Sequence, residues 1–404
     1  MGVNFKRMVR YLTVVFVFIS YIGTFLILKD KPPLIDEIYH VRELKSVLSG
    51  NYTPDPVLGM PPFYHISVAG FANLAGWREI SQLRFISFII NLLTIPIFYL
   101  TALKINKSSA FIKTVQFSFI PIIFPFYSLL YTDIFSLLFI LAALLFIYYR
   151  RYLISAVFAG LGTLARQNNI VWIIFFLVFI YVRDFGLIIN RKNIGRYIIR
   201  IYPDALSLGI FLAFLILNSG ILMGEGKNLN DGGFHIGNIM MLIFVSFILF
   251  IPIIVSYKKE IAGFIAKYKL VLVLSLLLFI PFSGWFVNDH MFNNAPFFVH
   301  NAFVMYFSAD IYRKALLFAI SIVFVISLFV IKLENKAGYL IYPFTIIYLA
   351  PLWLVEFRYY FIPICLFVLF RKRRGIYTEV ITTLLFIILS FGLFYGVESW
   401  IYFP

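Results

Sequence analysis

A single cysteine, Cys365, stands in a chain of 404 residues, which leaves no internal disulfide framework and no multi-cysteine metal site. Charge is almost as scarce. Asp, Glu, Lys and Arg make up 13% of the residues, about half the share found in ordinary soluble proteins. No Gly-rich phosphate loop follows a strand, and no closely spaced carboxylate pair has the form of the metal-binding motif of soluble nucleotide-sugar transferases. The interiors of the apolar runs hold almost no ionisable residues, whereas an ion-coupled transporter keeps carboxylates or histidines near mid-membrane. No internal repeat supports a lipid or solute transporter either. What the chain does have is 62% hydrophobic and 20% aromatic residues, with 49 Phe and 26 Tyr. Those values describe an all-α polytopic membrane protein, read as one membrane-embedded domain over residues 1–404.

The formal charge of +16 would point to nucleic acid in a soluble protein, but the basic residues sit in short clusters between apolar runs. That pattern sets membrane topology, and no nucleic-acid partner is expected. Judged at about 20 residues per span, with half-spans allowed, the runs fall near 11–28, 84–103, 114–130, 134–149, 153–165, 170–182, 203–222, 238–256, 270–286, 315–331, 339–354, 359–370 and 377–397. About 13 transmembrane helices are therefore expected. The first run is followed by Lys29-Asp30-Lys31-Pro32-Pro33 and has no small-residue cleavage site, so it reads as a retained span. With Met1 in the cytosol, 23 of the 34 basic residues fall on the cytosolic side and 13 of the 18 acidic residues on the far side.

Polar chemistry gathers on that far face. His40, His65, His235, His290 and His300 lie in its connections, as do Asp36, Glu37, Asp55, Asp133, Asp231, Asp289 and Asp310. Its longest connection, residues 29–83, reads as two short interfacial helices. Ile35, Ile38, Val41, Leu44 and Leu48 recur at helical spacing among charged residues. After the turn at Asn51-Tyr52-Thr53-Pro54-Asp55-Pro56, Met60-Pro61-Pro62-Phe63 opens the second helix with proline in its first turn.

Several of these residues carry two readings. Asp36 and Glu37 open the first surface helix: one is a candidate general base for a sugar hydroxyl, or either is a helix-start acid favoured by the macrodipole. Asp133, in Tyr131-Thr132-Asp133, is a site carboxylate or the N-cap of the following span. Arg166-Gln167-Asn168-Asn169 breaks an apolar hairpin, and a cation there needs an anion, for which arginine's fork suits phosphate. Glu356-Phe357-Arg358 is a second such break or a local ion pair. His235 and His300 are candidate phosphate or sugar ligands, or hydrogen-bonded loop residues. With no nucleotide-sugar domain, any sugar donor must be carried by a lipid, and a departing phosphate monoester needs cationic stabilisation, which Arg or His supplies without metal. No cofactor and no metal are therefore expected.

The ordered set Asp36-Glu37-Ile38-Tyr39-His40, Pro61-Pro62-Phe63-Tyr64, Tyr131-Thr132-Asp133, Arg166-Gln167-Asn168-Asn169-Ile170-Val171-Trp172 and Glu356-Phe357-Arg358-Tyr359 resembles the dolichyl-phosphate-glucose alpha-1,2-glucosyltransferase family of membrane-embedded GT-C glycosyltransferases. The resemblance implies a GT-C fold and an active site facing the lumen of the endoplasmic reticulum, or the exterior of a prokaryotic plasma membrane. It implies dolichyl (polyprenyl) phosphate glucose as donor, a lipid-linked oligosaccharide as acceptor, and inversion by direct displacement. On that pattern Asp36 is the base and Glu37 orients the acceptor, with Tyr131, Asp133, Arg166, Gln167, Asn168, His235, His300, Glu356 and Arg358 around the donor phosphate and substrate. The chain is short for the family. After His300 it reads Asn301-Ala302-Phe303-Val304-Met305-Tyr306 in place of an Asp-Asn-Arg-His-Tyr run, so the pattern implies a kept donor site and a different acceptor. Another GT-C transferase using a different polyprenyl phosphate sugar would share the fold and the first carboxylate.

The topology is directly testable. A cysteine introduced at Asn51, in the Asn51-Tyr52-Thr53 sequon, is expected to react with an impermeant thiol reagent from the non-cytosolic side of sealed vesicles. Labelling from the cytosolic side would invert the assignment.

Overall fold

The computed structural model describes residues 2–218, 220 and 233–404, with side chains from Arg7 onward. Asp231 and the end of the run expected at 203–222 lie outside the described residues. Among the described residues no sheet forms, and the protein is an all-α multi-pass membrane protein. Seven helical segments are long and apolar enough to cross a membrane: Arg7–Leu28, Ile80–Ile105, Gln167–Phe185, Arg191–Asn218, Gly237–Ser256, Ile311–Val330 and Ile376–Glu398. Lys258–Lys267 with Lys269–Trp285, bent by 84°, makes an eighth if taken as one span. The other five runs form shorter helices. The run at 114–130 shows why: Pro121 and Pro125 cannot continue a helix, so it stops at Ser118 and gives way to buried turns with one 3-10 turn, Phe124–Ser128.

The chain divides into two compact units. The first, residues 1–180 with 188–227, holds α1 (Gly2–Leu28), α2 (Glu37–Leu48), α3 (Phe63–Ala75), α4 (Ile80–Leu92), α5 (Thr94–Ile105), α6 (Ala110–Ser118), α7 (Thr132–Tyr148), α8 (Tyr152–Ala165), most of α9 (Ile170–Phe185) and α10 (Arg191–Asn218). The second, residues 181–187 with 228–404, holds α11 (Gly237–Ser256), α12 (Lys258–Lys267), α13 (Lys269–Leu276), α14 (Phe279–Trp285), α15 (Val299–Ser308), α16 (Ile311–Val330), α17 (Ile341–Leu349), α18 (Phe361–Phe370) and α19 (Ile376–Glu398). Large apolar side chains such as Ile210, Ile216 and Leu217 on α10 stay exposed, as expected where lipid replaces water.

In the first unit the apolar stripe of α2 (Val41, Leu44, Val47) packs on Tyr64, Val68, Ala69 and Ala72 of α3, and both rest on Leu83, Ile86, Leu130, Phe135 and Ala165. The two expected surface helices are thus seated on the spans. Polar pairs fix their register. His40 Nδ1 lies 3.0 Å from His65 Nε2, with the rings stacked, and the hydroxyls of Tyr64 and Ser87 are 2.9 Å apart. Beneath them Arg84, wholly buried, donates from Nε and Nη2 to Glu37 at 2.9 and 2.6 Å. Its Nη1 also donates to the carbonyls of Leu28 and Lys31, at 2.7 and 2.6 Å, and its Nη2 to that of Pro32 at 3.2 Å. One guanidinium therefore gathers the non-helical link from α1 to α2.

Because breaking a buried ion pair strands a charge, Glu37→Gln is expected to cost about 3–5 kcal/mol. Arg84→Lys should also destabilise, since an ammonium offers three donors where the guanidinium offers five. Thermal unfolding in detergent checks both; unchanged midpoints would show that the link holds without the pair. A second expectation concerns pH. Burial, and then His40, holds His65 well below the usual imidazole range. The group stays neutral when folded and takes up a proton on unfolding, so stability falls as pH drops below about 6.5, by up to about 1.4 kcal/mol per pH unit. His65→Gln should flatten that slope.

Candidate functional site

Asp36 sits at the N-cap position of α2, half-buried, and its carboxylate does not cap the helix. The residue before it, Ile35, has a φ of 54°, a left-handed conformation that is strained for a β-branched side chain. Two contacts on either side hold that turn. Glu37 Oε2 accepts from Leu34 N at 2.8 Å, and Tyr131 donates its hydroxyl to the Leu34 carbonyl at 2.9 Å. Glu37 Oε1 additionally accepts from Leu130 N at 2.9 Å. Of the two neighbouring acids, Glu37 is fully buried with both oxygens engaged, which is the work of a support for the turn. Asp36 is the one partly open to solvent.

The second part of the site forms where α7 begins and the α8–α9 hairpin breaks. The expected N-cap role of Asp133 is not realised, because Tyr131 takes the N-cap position and Asp133 lies in the first turn of α7. There it pairs with Arg166 through Oδ1. The anion that a broken apolar hairpin demands of its arginine is thus supplied by the chain itself. Gln167 Nε2 reaches across to the Gly59 carbonyl at 2.7 Å, and Asn169 donates to Ser136 Oγ and to the Gly162 carbonyl. Asn168 is half-buried at the same break. Thr132 Oγ1, Asp133 Oδ2 and Asn169 Oδ1 are buried with no hydrogen-bond partner among the described residues. These three oxygens adjoin the Asp133–Arg166 pair, and each retains hydrogen-bonding capacity that the described residues do not fill.

In the second unit His235 stacks on Trp353, with ring centroids 5.6 Å apart, and His290 meets the same indole edge-on at 4.9 Å. Trp353 donates to Asp289 at 2.8 Å. Glu356 and Arg358 form the local ion pair that was one of their two readings. His300 is buried between Phe298 and Phe357. Asn238 organises this loop: its Nδ2 donates to the carbonyls of Leu352 and Leu354, and its Oδ1 accepts from Glu356 N and Tyr360.

Arg84 and Asn238 were not among the residues singled out from sequence, and nothing there indicated that His40 pairs with His65 or that Asn169 binds Ser136. Arg84 carried a usable signal, a cation within an apolar run, the same one that marked Arg166. Among the described residues no three His, Cys, Asp or Glu side chains assemble as a metal-ligand group.

Comparison with known proteins finds similarity over part of the chain. Residues 30–193 match the model of the DIE2/ALG10 family. A Candida glabrata protein named Dol-P-Glc:Glc(2)Man(9)GlcNAc(2)-PP-Dol alpha-1,2-glucosyltransferase is 28% identical over 225 residues, covering 49% of this chain and 42% of that protein. A Homo sapiens protein of the same name is 24% identical over 272 residues (54% and 57%), and one from Kluyveromyces lactis 25% over 252 residues (56% and 46%). The chain spans about half the length of the curated relatives it matches. No solved structure matches. His235, His300, Glu356 and Arg358 fall outside the family match, while Asp36, Glu37, Arg84, Tyr131, Asp133 and the Arg166 break fall inside it. Over residues 30–193, the stretch that holds the Asp133–Arg166 pair and the turn that presents Asp36, the chain is similar to the DIE2/ALG10 family.

Proposed function

We propose that the protein is an inverting glycosyltransferase of GT-C type, a single membrane-embedded domain over residues 1–404. It moves glucose from dolichyl or polyprenyl phosphate glucose to a lipid-linked oligosaccharide, forming an alpha-1,2 linkage in the assembly of an N-glycan precursor. The observation that carries this reading is that the family match over 30–193 encloses Asp36, the Glu37–Arg84 pair and the Asp133–Arg166 pair. The relatives are named for that transfer. The site faces the lumen of the endoplasmic reticulum, or the exterior in a prokaryote, and works without metal or other cofactor.

In this mechanism the Asp36 carboxylate takes the proton of the acceptor hydroxyl as its oxygen attacks the anomeric carbon. The bond from that carbon to the phosphate oxygen breaks, and the electron pair leaves with the lipid phosphate. The beta donor becomes an alpha product. A sugar hydroxyl is too weak an acid to attack unaided, and a positioned base contributes about 10² to 10⁴ in rate. Glu37 acts as a positioning residue, holding through Arg84 the turn that carries Asp36. Arg166, oriented by Asp133, stabilises the charge that develops on the phosphate, while Gln167, Asn168 and Tyr131 serve the binding of the donor.

His235, His300, Glu356 and Arg358 remain candidate donor-phosphate or substrate ligands. Their place outside the family match, with the divergent run Asn301–Tyr306, favours a second reading: the acceptor differs from the relatives' own, or the enzyme uses another polyprenyl phosphate sugar. A panel of such donors incubated with the purified protein separates the two.

Asp36→Asn is expected to lower glucosyl transfer by about 10² or more while donor binding persists. Arg166→Lys keeps the charge but loses the fork, and should weaken donor binding. Near-normal turnover in Asp36→Asn would move the base to another carboxylate, and activity lost to a chelator and restored by a divalent ion would overturn the metal-free mechanism.

A further inference from the structure

A cavity lies in the second unit, lined by none of the residues considered so far. Its volume is about 480 Å³, and it opens where the end of α11, the short α12, the end of α16 and the start of α19 meet. The chain bends by 84° between α12 and the α13–α14 segment. A charged, amphipathic helix thereby hands over to an apolar one at the mouth of the cavity, with Lys267 and Tyr268 at the corner.

Three cations line it: Lys267, Lys332 and Arg374. Arg374 is already committed. It pairs with Glu260, donates to the Ser256 carbonyl at 3.2 Å and lies 4.1 Å from the centre of the Tyr257 ring. Lys267 and Lys332 have no carboxylate partner among the described residues, and Lys267 stands 5.0 Å from the Tyr268 ring centre. The apolar wall is aromatic, with Phe264 stacked on Phe329 at 5.7 Å. Phe329 is 72% exposed, and directly after the bend Leu270, Val271 and Leu274 of α13 present exposed apolar surface.

Two uncompensated ammonium groups beside aromatic rings call for an anion. Apolar surface running away from the same mouth calls for acyl chains. We propose that this cavity binds the phosphate headgroup of an anionic membrane lipid, with Lys267 and Lys332 on the phosphate oxygens and the exposed face of α13 along the acyl chains. A free phosphate ion would satisfy the cations but would leave that apolar face without a role, so the lipid is the occupant. The inference stands apart from the transfer reaction proposed above, since none of its residues belongs to that site.

The full-length protein in detergent, titrated with phosphatidic acid, with phosphatidylcholine of the same chain length and with inorganic phosphate, and read by native mass spectrometry, tests this. Phosphatidic acid should bind at least tenfold more tightly than phosphatidylcholine. Lys267→Gln with Lys332→Gln should weaken it by about 10- to 30-fold, as expected for two basic residues at an anionic surface, with the thermal unfolding midpoint unchanged. Lys267→Arg with Lys332→Arg keeps both charges and should retain binding, which separates loss of charge from loss of fold. Equal binding of the two lipids, or undiminished phosphatidic acid binding in the Gln pair, would overturn the proposal. Displacement of phosphatidic acid by an equimolar amount of inorganic phosphate would overturn the lipid assignment in favour of a free-anion site.

Discussion

The link from α1 to α2 is an irregular stretch of backbone, open to solvent at Asp30 and Pro32 but anchored beneath by a wholly buried guanidinium. The carbonyls of Leu28, Lys31 and Pro32 are directed to that buried side, where they need a donor. Arg84 is that donor. It could not be buried alone, and Glu37 is what makes its charge tolerable. From this one pair follow the path of residues 28–37, the entry angle of α2, and the left-handed turn at Ile35 that sets the side chain of Asp36 apart from the helix it starts. Strain of that kind persists where the surroundings over-determine the backbone, and here Leu34 is gripped through its N–H by Glu37 and through its carbonyl by Tyr131.

The same logic operates at the α8–α9 break with the roles exchanged. There the arginine sits at the irregular segment and the carboxylate comes from a neighbouring helix start. Packing makes the approach of α7 and α8 close: a side chain at Gly162 would meet Ile140 at 3.2 Å, and the Gly162 carbonyl is in turn bound by Asn169. The buried oxygens left without partners on Thr132, Asp133 and Asn169 lie beside this break. Such atoms also occur at His65, Asp204 and Asn301, so what sets the break apart is that here they adjoin the Asp133–Arg166 pair.

Much of this was legible in the sequence, and the limits have physical causes. The two helices of the 29–83 connection were visible because an interfacial helix must alternate polar and apolar faces with a 3.6-residue period, and α2 does. The Arg166 break was visible because a cation in an apolar run is costly wherever it points. That Glu37 is wholly buried while Asp36 stays partly open to solvent was not visible, because it depends on Arg84 and Leu130, whose proximity no local pattern encodes. The N-cap reading of Asp133 failed because α7 starts earlier than expected, at Thr132, with Tyr131 at its N-cap. Spans such as 114–130 read as continuous by hydropathy although Pro121 and Pro125 interrupt them, since apolar content measures burial and not helicity.

The Glu37 carboxylate binds one partner 47 residues further along the chain and another 93 residues further. Neither partner exists when α2 leaves the ribosome, and Leu130 lies beyond the span Ile80–Ile105. The turn before Asp36 therefore cannot close as the chain is made. It must wait, as a polar acid next to an unsatisfied backbone, until the segment through Leu130 has been synthesised and inserted. During that interval the nascent protein carries an open first connection, and the turn that presents Asp36 is assembled as one of the later events in the biogenesis of this half of the molecule.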